Sequence, residues 1–236
     1  MLELHDVDKA FSLEGKTTKI LSGLNLQIDA GDFYAVLGPS GVGKSTLLSI
    51  MCGLDKPSAG DVRFNGQSIV DAGSDQLVRM RNQDFGFVFQ SPYHLNYRTV
   101  IENILLPSIY SQKYTRAQAL ERANYLIHYV GIEGLENRLP ANLSGGELQR
   151  MVFARALLLE PKIIFADEPT GSLDKANSDK ILALLTEQSQ QNCAVVMVTH
   201  DHHAASYATK VLNLYKVDEL NAHKAAQALT SRVKET

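Results

Sequence analysis

At 236 residues and 44% hydrophobic content, the chain suits one large or two small domains built around a substantial core. Its formal net charge of -3, with acids and bases mixed along the sequence, supplies no broad basic surface and argues against nucleic acid as a partner. No apolar run approaches the roughly 20 residues needed to cross a bilayer, and the opening "MLELHDVDKAF" lacks the basic-then-apolar layout of a signal peptide, so the expectation is a soluble cytoplasmic protein.

In chain order, residues 1–31 read as part of a small β subdomain: Leu24, Leu26 and Ile28 alternate with polar residues, and Asn65-Gly66 in "RFNGQS" is a hairpin signal. The run "FYAVLG" (33–38) is the first of three nearly continuous apolar segments, with "KIIFAD" (162–167) and "CAVVMVTH" (193–200), that read as strands buried on both faces of a parallel sheet. Ligands of open α/β sheets gather beyond the carboxyl ends of such strands. Between about Ser91 and Leu159 the pattern turns helical. "TVIENILL" opens with Thr99 and Glu102 in capping-box spacing, and "TRAQALERANYLIHYVGI" places apolar residues three and four apart. Cys52 and Cys193 are distant, have apolar neighbours and no metal-type spacing, and read as core thiols.

The chemistry sits where these runs end. "GPSGVGKST" follows the first buried strand and precedes a helical pattern, so Gly38, Pro39, Ser40, Gly41, Val42, Gly43, Lys44, Ser45 and Thr46 form a candidate phosphate cradle. Its glycines let backbone N–H groups curl around phosphates, Lys44 neutralises the β/γ charge, and Ser45 supplies a Mg²⁺ ligand. The plainer alternative is a glycine turn before a helix. In "IIFADEP" two acids end the second strand, where one carboxylate could simply cap a helix; beside a Mg-nucleotide, Asp167 holds the metal and Glu168 orients or deprotonates the attacking water. Gln90 closes "FGFVFQ" as a polar strand terminus, a weak signal alone. His200 closes the third run and lies beside the phosphates. The adjacent "HDHH" is not read as a metal site, because His202 and His203 are consecutive and have no ligand set at suitable spacing.

A second anion site is written in "LSGGELQR": Ser144 and Glu147 make a capping box, and Gly145 and Gly146 leave the first-turn N–H donors uncovered, at about 1 kcal/mol of helix propensity each. One terminal phosphate cannot easily fill both cradles in a monomer. Two copies facing head to tail, each nucleotide held between one chain's cradle and the other's "LSGG", resolve the excess, so an ATP-dependent homodimer is expected.

Six motifs, "GPSGVGKST", Gln90, "LSGGELQR", "IIFADEP", "SLD" (172–174) and His200, occur in the order and spacing of an ABC-type ATPase subunit, which the chain resembles over about residues 1–215. The resemblance implies an α/β P-loop NTPase: a RecA-like core plus antiparallel β subdomain in 1–90 and 160–215, and an inserted helical subdomain in 91–159. It further implies that Phe11 stacks on adenine, that Gln90 joins Ser45 and Asp167 at the metal, and that Asp174 reaches across the dimer. The cofactors implied are ATP and Mg²⁺. The wording "GFVFQ", "ENILLP" and "ADEPTGSLD" is similar to the branch serving lipoprotein release, macrolide export, antimicrobial-peptide defence and cell division. That implies a separate integral membrane permease subunit as partner, a peripheral position on the cytoplasmic face of the inner membrane, and docking near Gln90 to about Leu106. Two departures are Leu148, where a polar residue is usual, and "NLYKVDEL", without the usual Asp-Gly turn; residues 216–236 read as a peripheral helix with Ala225, Leu229 and Val233 on one face. Two other classes fit the motifs less well. A soluble ABC protein of DNA repair or translation would carry a coiled-coil insert or second nucleotide domain, and a P-loop small-molecule kinase would leave "LSGG" and His200 without a role.

Overall fold

The sequence uses two side-chain patterns, and each builds its own sheet. In the computed structural model, which describes residues 1–13 and 16–215, the alternating segments form β1 (Leu2–Leu13) and β2 (Lys16–Ile28), paired antiparallel with Leu2 opposite Ile28 and Leu4 opposite Leu26. β4 (Ala59–Phe64) adds to the other edge of β1, and β5 (Gln67–Ser68) returns from it. The return is the Asn65-Gly66 hairpin: both residues have positive φ, 51° and 79°, as a two-residue turn matched to strand twist requires.

The continuous apolar runs instead become β3 (Phe33–Leu37), β7 (Ile163–Asp167) and β8 (Ala194–Thr199). With β6 (Phe85–Phe89) and β9 (Lys210–Asn213) they form a parallel sheet in the order β6-β7-β8-β3-β9. Their continuity has a simple cause, because alternate residues enter two different cores. Phe33, Ala35, Ile164, Ala166, Val195 and Met197 point into one; Val36, Ile163, Phe165, Ala194, Val196 and Val198 point into the other. At about 25 cal/mol per Å² of apolar area removed from water, covering both faces supplies the main cohesion.

Helix α1 (Lys44–Met51) and α2 (Ser74–Gln83) contribute to the second core, with the antiparallel sheet above them. α2 escaped the sequence reading because it buries only Met80 and opens on Gly73 without a side-chain cap. On the opposite face lie α3 (Val100–Ile104), α4 (Arg116–Tyr129), α5 (Gly145–Leu157) and α6 (Lys175–Gln190). All three of Thr99, Thr115 and Ser144 form complete capping boxes with the residue three positions on. α3 is shorter than "TVIENILL" suggests: a 3-10 turn over Leu106–Tyr110 replaces its continuation, because Pro107 lacks an N–H and disfavours helical geometry at Leu106. A single turn, α7 (His202–Ala205), follows β8. Cys52 and Cys193 are buried free thiols. Among the described residues no helix is long and apolar enough to cross a membrane. The helix read for 216–236 lies outside the described residues.

Candidate nucleotide site

The parallel register brings the polar strand ends together. Leu37 pairs with Thr199, Asp167 with Val198, and Phe89 with Asp167, so Gly38, His200, Glu168 and Gln90 all emerge at one edge. The cradle runs from β3 into α1, with Gly41 and Gly43 at φ 78° and 107°, a backbone shape that side-chain-bearing residues rarely adopt. Lys44 is 7% exposed; its Nζ donates to the carbonyls of Gly38 and Pro39 at 2.8 and 3.2 Å and stands 3.9 Å from Glu168 Oε1. A buried ammonium curled onto its own loop's carbonyls can exchange them for anionic oxygens at little reorganisation.

Ser45 Oγ donates to Asp167 Oδ1 at 3.2 Å, which joins a hydroxyl at a helix start to a carboxylate on the neighbouring strand. Burial pushes the Asp167 carboxyl above its ordinary range, and the adjacent Glu168 charge adds to this, against the opposing Ser45 hydrogen bond and Lys44 charge. Two hard oxygens, one on a partly desolvated carboxylate, suit a divalent cation whose charge offsets that burial. The cradle and this oxygen pair therefore fit a metal-bound nucleotide.

Glu168 is the most constrained residue here. Its φ is 45°, a left-handed value uncommon for a glutamate, and its N–H is fixed to the Val198 carbonyl at 2.9 Å. One carboxylate oxygen accepts from Thr199 Oγ1 at 3.2 Å and the other lies 2.8 Å from His200 Nδ1. His200 thus contacts Glu168 through one ring nitrogen, a pairing the sequence did not disclose, and Nε2 remains available to a ligand. Gln90 is exposed, with Nε2 2.8 Å from where a Cβ on Gly171 would stand, so it lies over the loop that follows Glu168.

The second candidate anion cradle is the start of α5. Ser144 Oγ donates to Glu147 Oε2 at 2.7 Å and accepts weakly from the Glu147 N–H at 3.4 Å. The two glycines differ. A Cβ on Gly145 would meet only Leu173, at 3.9 Å, whereas one on Gly146 would stand 2.4 Å from Asn177 Oδ1. Gly146 is therefore required by packing against α6 within the same chain, a reason beyond open access for an anion. Asp174 caps α6 by accepting from the Asn177 N–H at 2.9 Å and from Asn177 Nδ2 at 2.7 Å, which holds its carboxyl below the usual range. Phe11, 48% exposed on β1, has Lys9 Nζ 4.9 Å from its ring centroid. Leu148 packs against the helical core, and His203 pairs with Asp179 at 2.8 Å.

Sequence reasoning passed over Gln149. It is 2% exposed and donates from Nε2 to the carbonyls of Phe89 and Pro169, both at 3.0 Å. Its signal was a glutamine among apolar residues on the buried side of a helix.

Comparison with known proteins bears on the family and the fold. Residues 21–171 match the family model described as ABC transporter. The lipoprotein-releasing system ATP-binding protein LolD of Shewanella frigidimarina is 40% identical over 91% of this chain and 90% of its own. The macrolide export ATP-binding/permease protein MacB of Wolinella succinogenes is 40% identical over 91% of this chain. The chain spans about a third, 33%, of that relative's length. Among solved structures, the dimeric MJ0796, described as a bacterial ABC transporter cassette, superposes with a TM-score of 0.83 at 36% identity, covering 91% of this chain and 94% of that one. A second MJ0796 dimer, a post-hydrolysis state bound to ADP and Pi, superposes at 0.82 with 35% identity, over 91% of this chain and 94% of that one. With this fold, the P-loop and these relatives, the chain belongs to the ABC transporter family, as one of its ATP-binding cassettes.

Proposed function

We propose that this cassette binds and hydrolyses Mg-ATP in a head-to-tail homodimer and drives conformational change in a separate membrane permease. The observation that carries the reading is Glu168: a carboxylate at the end of a buried strand, aimed by Thr199 and His200 and 3.9 Å from Lys44. In this reading Lys44 binds the terminal phosphates, and Ser45, Asp167 and Gln90 hold the metal. Mg²⁺, when bound, neutralises charge that develops on the phosphoryl oxygens. Glu168 orients water and takes up its proton at the carboxylate, and His200 holds Glu168 through Nδ1 while Nε2 steadies the γ-phosphate. Phe11 stacks on adenine. Ser144 and Gly145 of a second copy complete the pocket and exclude water, with Asp174 at the same interface.

Segment 91–159 would move as a helical subdomain, and the rim from near Gln90 to about Leu106 would carry the partner contact. A groove of about 330 Å³ supports this, lined by Arg81, Asn82, Phe87, Leu106, Pro107 and Arg155. Asn82 Oδ1 is buried there without a donor among the described residues. Burial lowers the pKa of Arg155, and no carboxylate of the described residues pairs with it. A groove of mixed polarity with an orphan acceptor and a cation unpaired among the described residues suits a peptide segment bearing an acidic side chain. The similarity to LolD and MacB points to export of lipoprotein, macrolide or peptide, or to force transmission, from the cytoplasmic face of the inner membrane.

The test is Glu168→Gln. It should cut steady-state ATP hydrolysis at least 100-fold, while the protein retains ATP and elutes as a dimer with Mg-ATP. Unchanged turnover would remove Glu168 from the proposed role, and monomers saturated with Mg-ATP would remove the composite site.

A further inference from the structure

Gln149 does more than fill the core. The start of α5 carries Ser144 and Gly145, which on the reading above touch the partner's nucleotide, while Gln90 and Glu168 serve the chain's own nucleotide. Gln149 sits between them. Its Nε2 has two hydrogens, and both are spent: one on the carbonyl of Phe89, directly before Gln90, the other on the carbonyl of Pro169, directly after Glu168, each at 3.0 Å. Phe89 and Asp167 are register partners, so the Phe89 carbonyl and the loop that carries Pro169 lie at adjoining strand ends.

The next residue extends the link. Arg150 Nη1 donates to Asn177 Oδ1 at 2.9 Å, and Asn177 Nδ2 donates to Asp174 Oδ2 at 2.7 Å. The same Asn177 amide lies against Gly146. One stretch of helix thus grips the Gln90 strand, the loop after Glu168 and Asp174. A shift of α5 must break buried bonds or carry those backbone segments with it.

We propose that Gln149 is a positioning residue that couples the two nucleotide sites of the dimer, transmitting engagement of Ser144 with one nucleotide to Gln90 and Glu168 at the other. The proposal rests on the homodimer reading. It requires a readout that a merely structural glutamine would not move: the split between kcat and KM, and the cooperativity of hydrolysis.

The experiment measures ATP turnover against ATP concentration for the full chain and for Gln149→Met, which keeps side-chain length and loses both donors. Binding of trinitrophenyl-ATP with Mg²⁺ at protein concentrations that keep the chain monomeric is measured in parallel, with thermal melting as the folding control. The expected result is a kcat about tenfold lower and a Hill coefficient falling towards one, with KM and the monomer's nucleotide Kd unchanged within twofold. A folded Gln149→Met that keeps the wild-type kcat and Hill coefficient overturns the proposal. If that variant does not fold, Gln149→Asn, which keeps an amide too short to reach both carbonyls, is read in the same way; loss of folding in both overturns the proposal in favour of a purely structural role. Wild-type chain that hydrolyses ATP without cooperativity, together with Glu168→Gln that stays monomeric in Mg-ATP, would instead remove the homodimer reading.

Discussion

At the scale of single residues, the two glycines of "LSGG" separate two demands that look identical in sequence. Gly146→Ala would push a methyl to 2.4 Å from Asn177 Oδ1, an amide already held by Arg150 and Asp174. Overpacking of this kind costs about 1–3 kcal/mol. Gly145→Ala meets only Leu173 at 3.9 Å and gains helix propensity, so it should change stability by less than about 1 kcal/mol. Urea denaturation distinguishes them; equal losses would sink the packing argument. The buried thiols give a pH prediction. Desolvation pushes Cys52 up to about 11 and Cys193 up to about 12 from 9.0. The unfolded chain loses these protons first, so their contribution is intact below pH 9 and declines as pH rises through 9 towards 11 and 12. Each thiol then costs about 1.4 kcal/mol per pH unit. Urea midpoints from pH 8 to 10 should fall, and Cys52→Ala/Cys193→Ala should flatten the slope.

At the scale of elements, helix starts are set by local chemistry and helix ends by context. Thr99, with Glu102, encloses the first turn of α3, a helix of five residues that cannot sustain itself. Asn103, fully buried, reinforces it by donating to the carbonyls of Leu95, Arg98 and Thr99 and accepting from the Leu95 N–H. Thr99→Ala should cost about 1 kcal/mol of global stability, measured by urea denaturation; no loss would mean Asn103 alone holds the segment. The capping boxes at Thr99 and Ser144 and the Asn65-Gly66 turn were legible because each is closed within a few residues, whereas the box of Thr115 with Gln118 emerged only in the structure. α2 was not, since a polar helix with one buried side chain has no apolar period to read.

At the scale of the molecule, the half-buried guanidinium of Arg155, which has no carboxylate partner among the described residues, is a sign of a missing neighbour. A buried cation without a partner costs stability, and an apolar replacement of similar length relieves it. Arg155→Met should therefore leave the chain as stable as wild type, or up to about 2 kcal/mol more stable, with basal ATP hydrolysis unchanged. The fraction of chain that sediments with membranes of the source cells should fall. Destabilisation with undiminished membrane association would indicate that Arg155 serves the fold and not a partner.

The sequence by itself determined the kinds of element and the chemistry at their ends. Buried strands declared themselves by unbroken apolar runs, the cradle by glycines around Lys44, and the acids by their place after "IIFA", because these signals are local and each is set by backbone conformation or desolvation. Only the tertiary structure decided the contacts between distant segments: His200 on Glu168, Asn177 against Gly146, and Gln149 spanning Phe89 and Pro169. Those pairings depend on strand order and helix placement, which arise when two faces of one sheet are buried together, and no spacing along the chain encodes them.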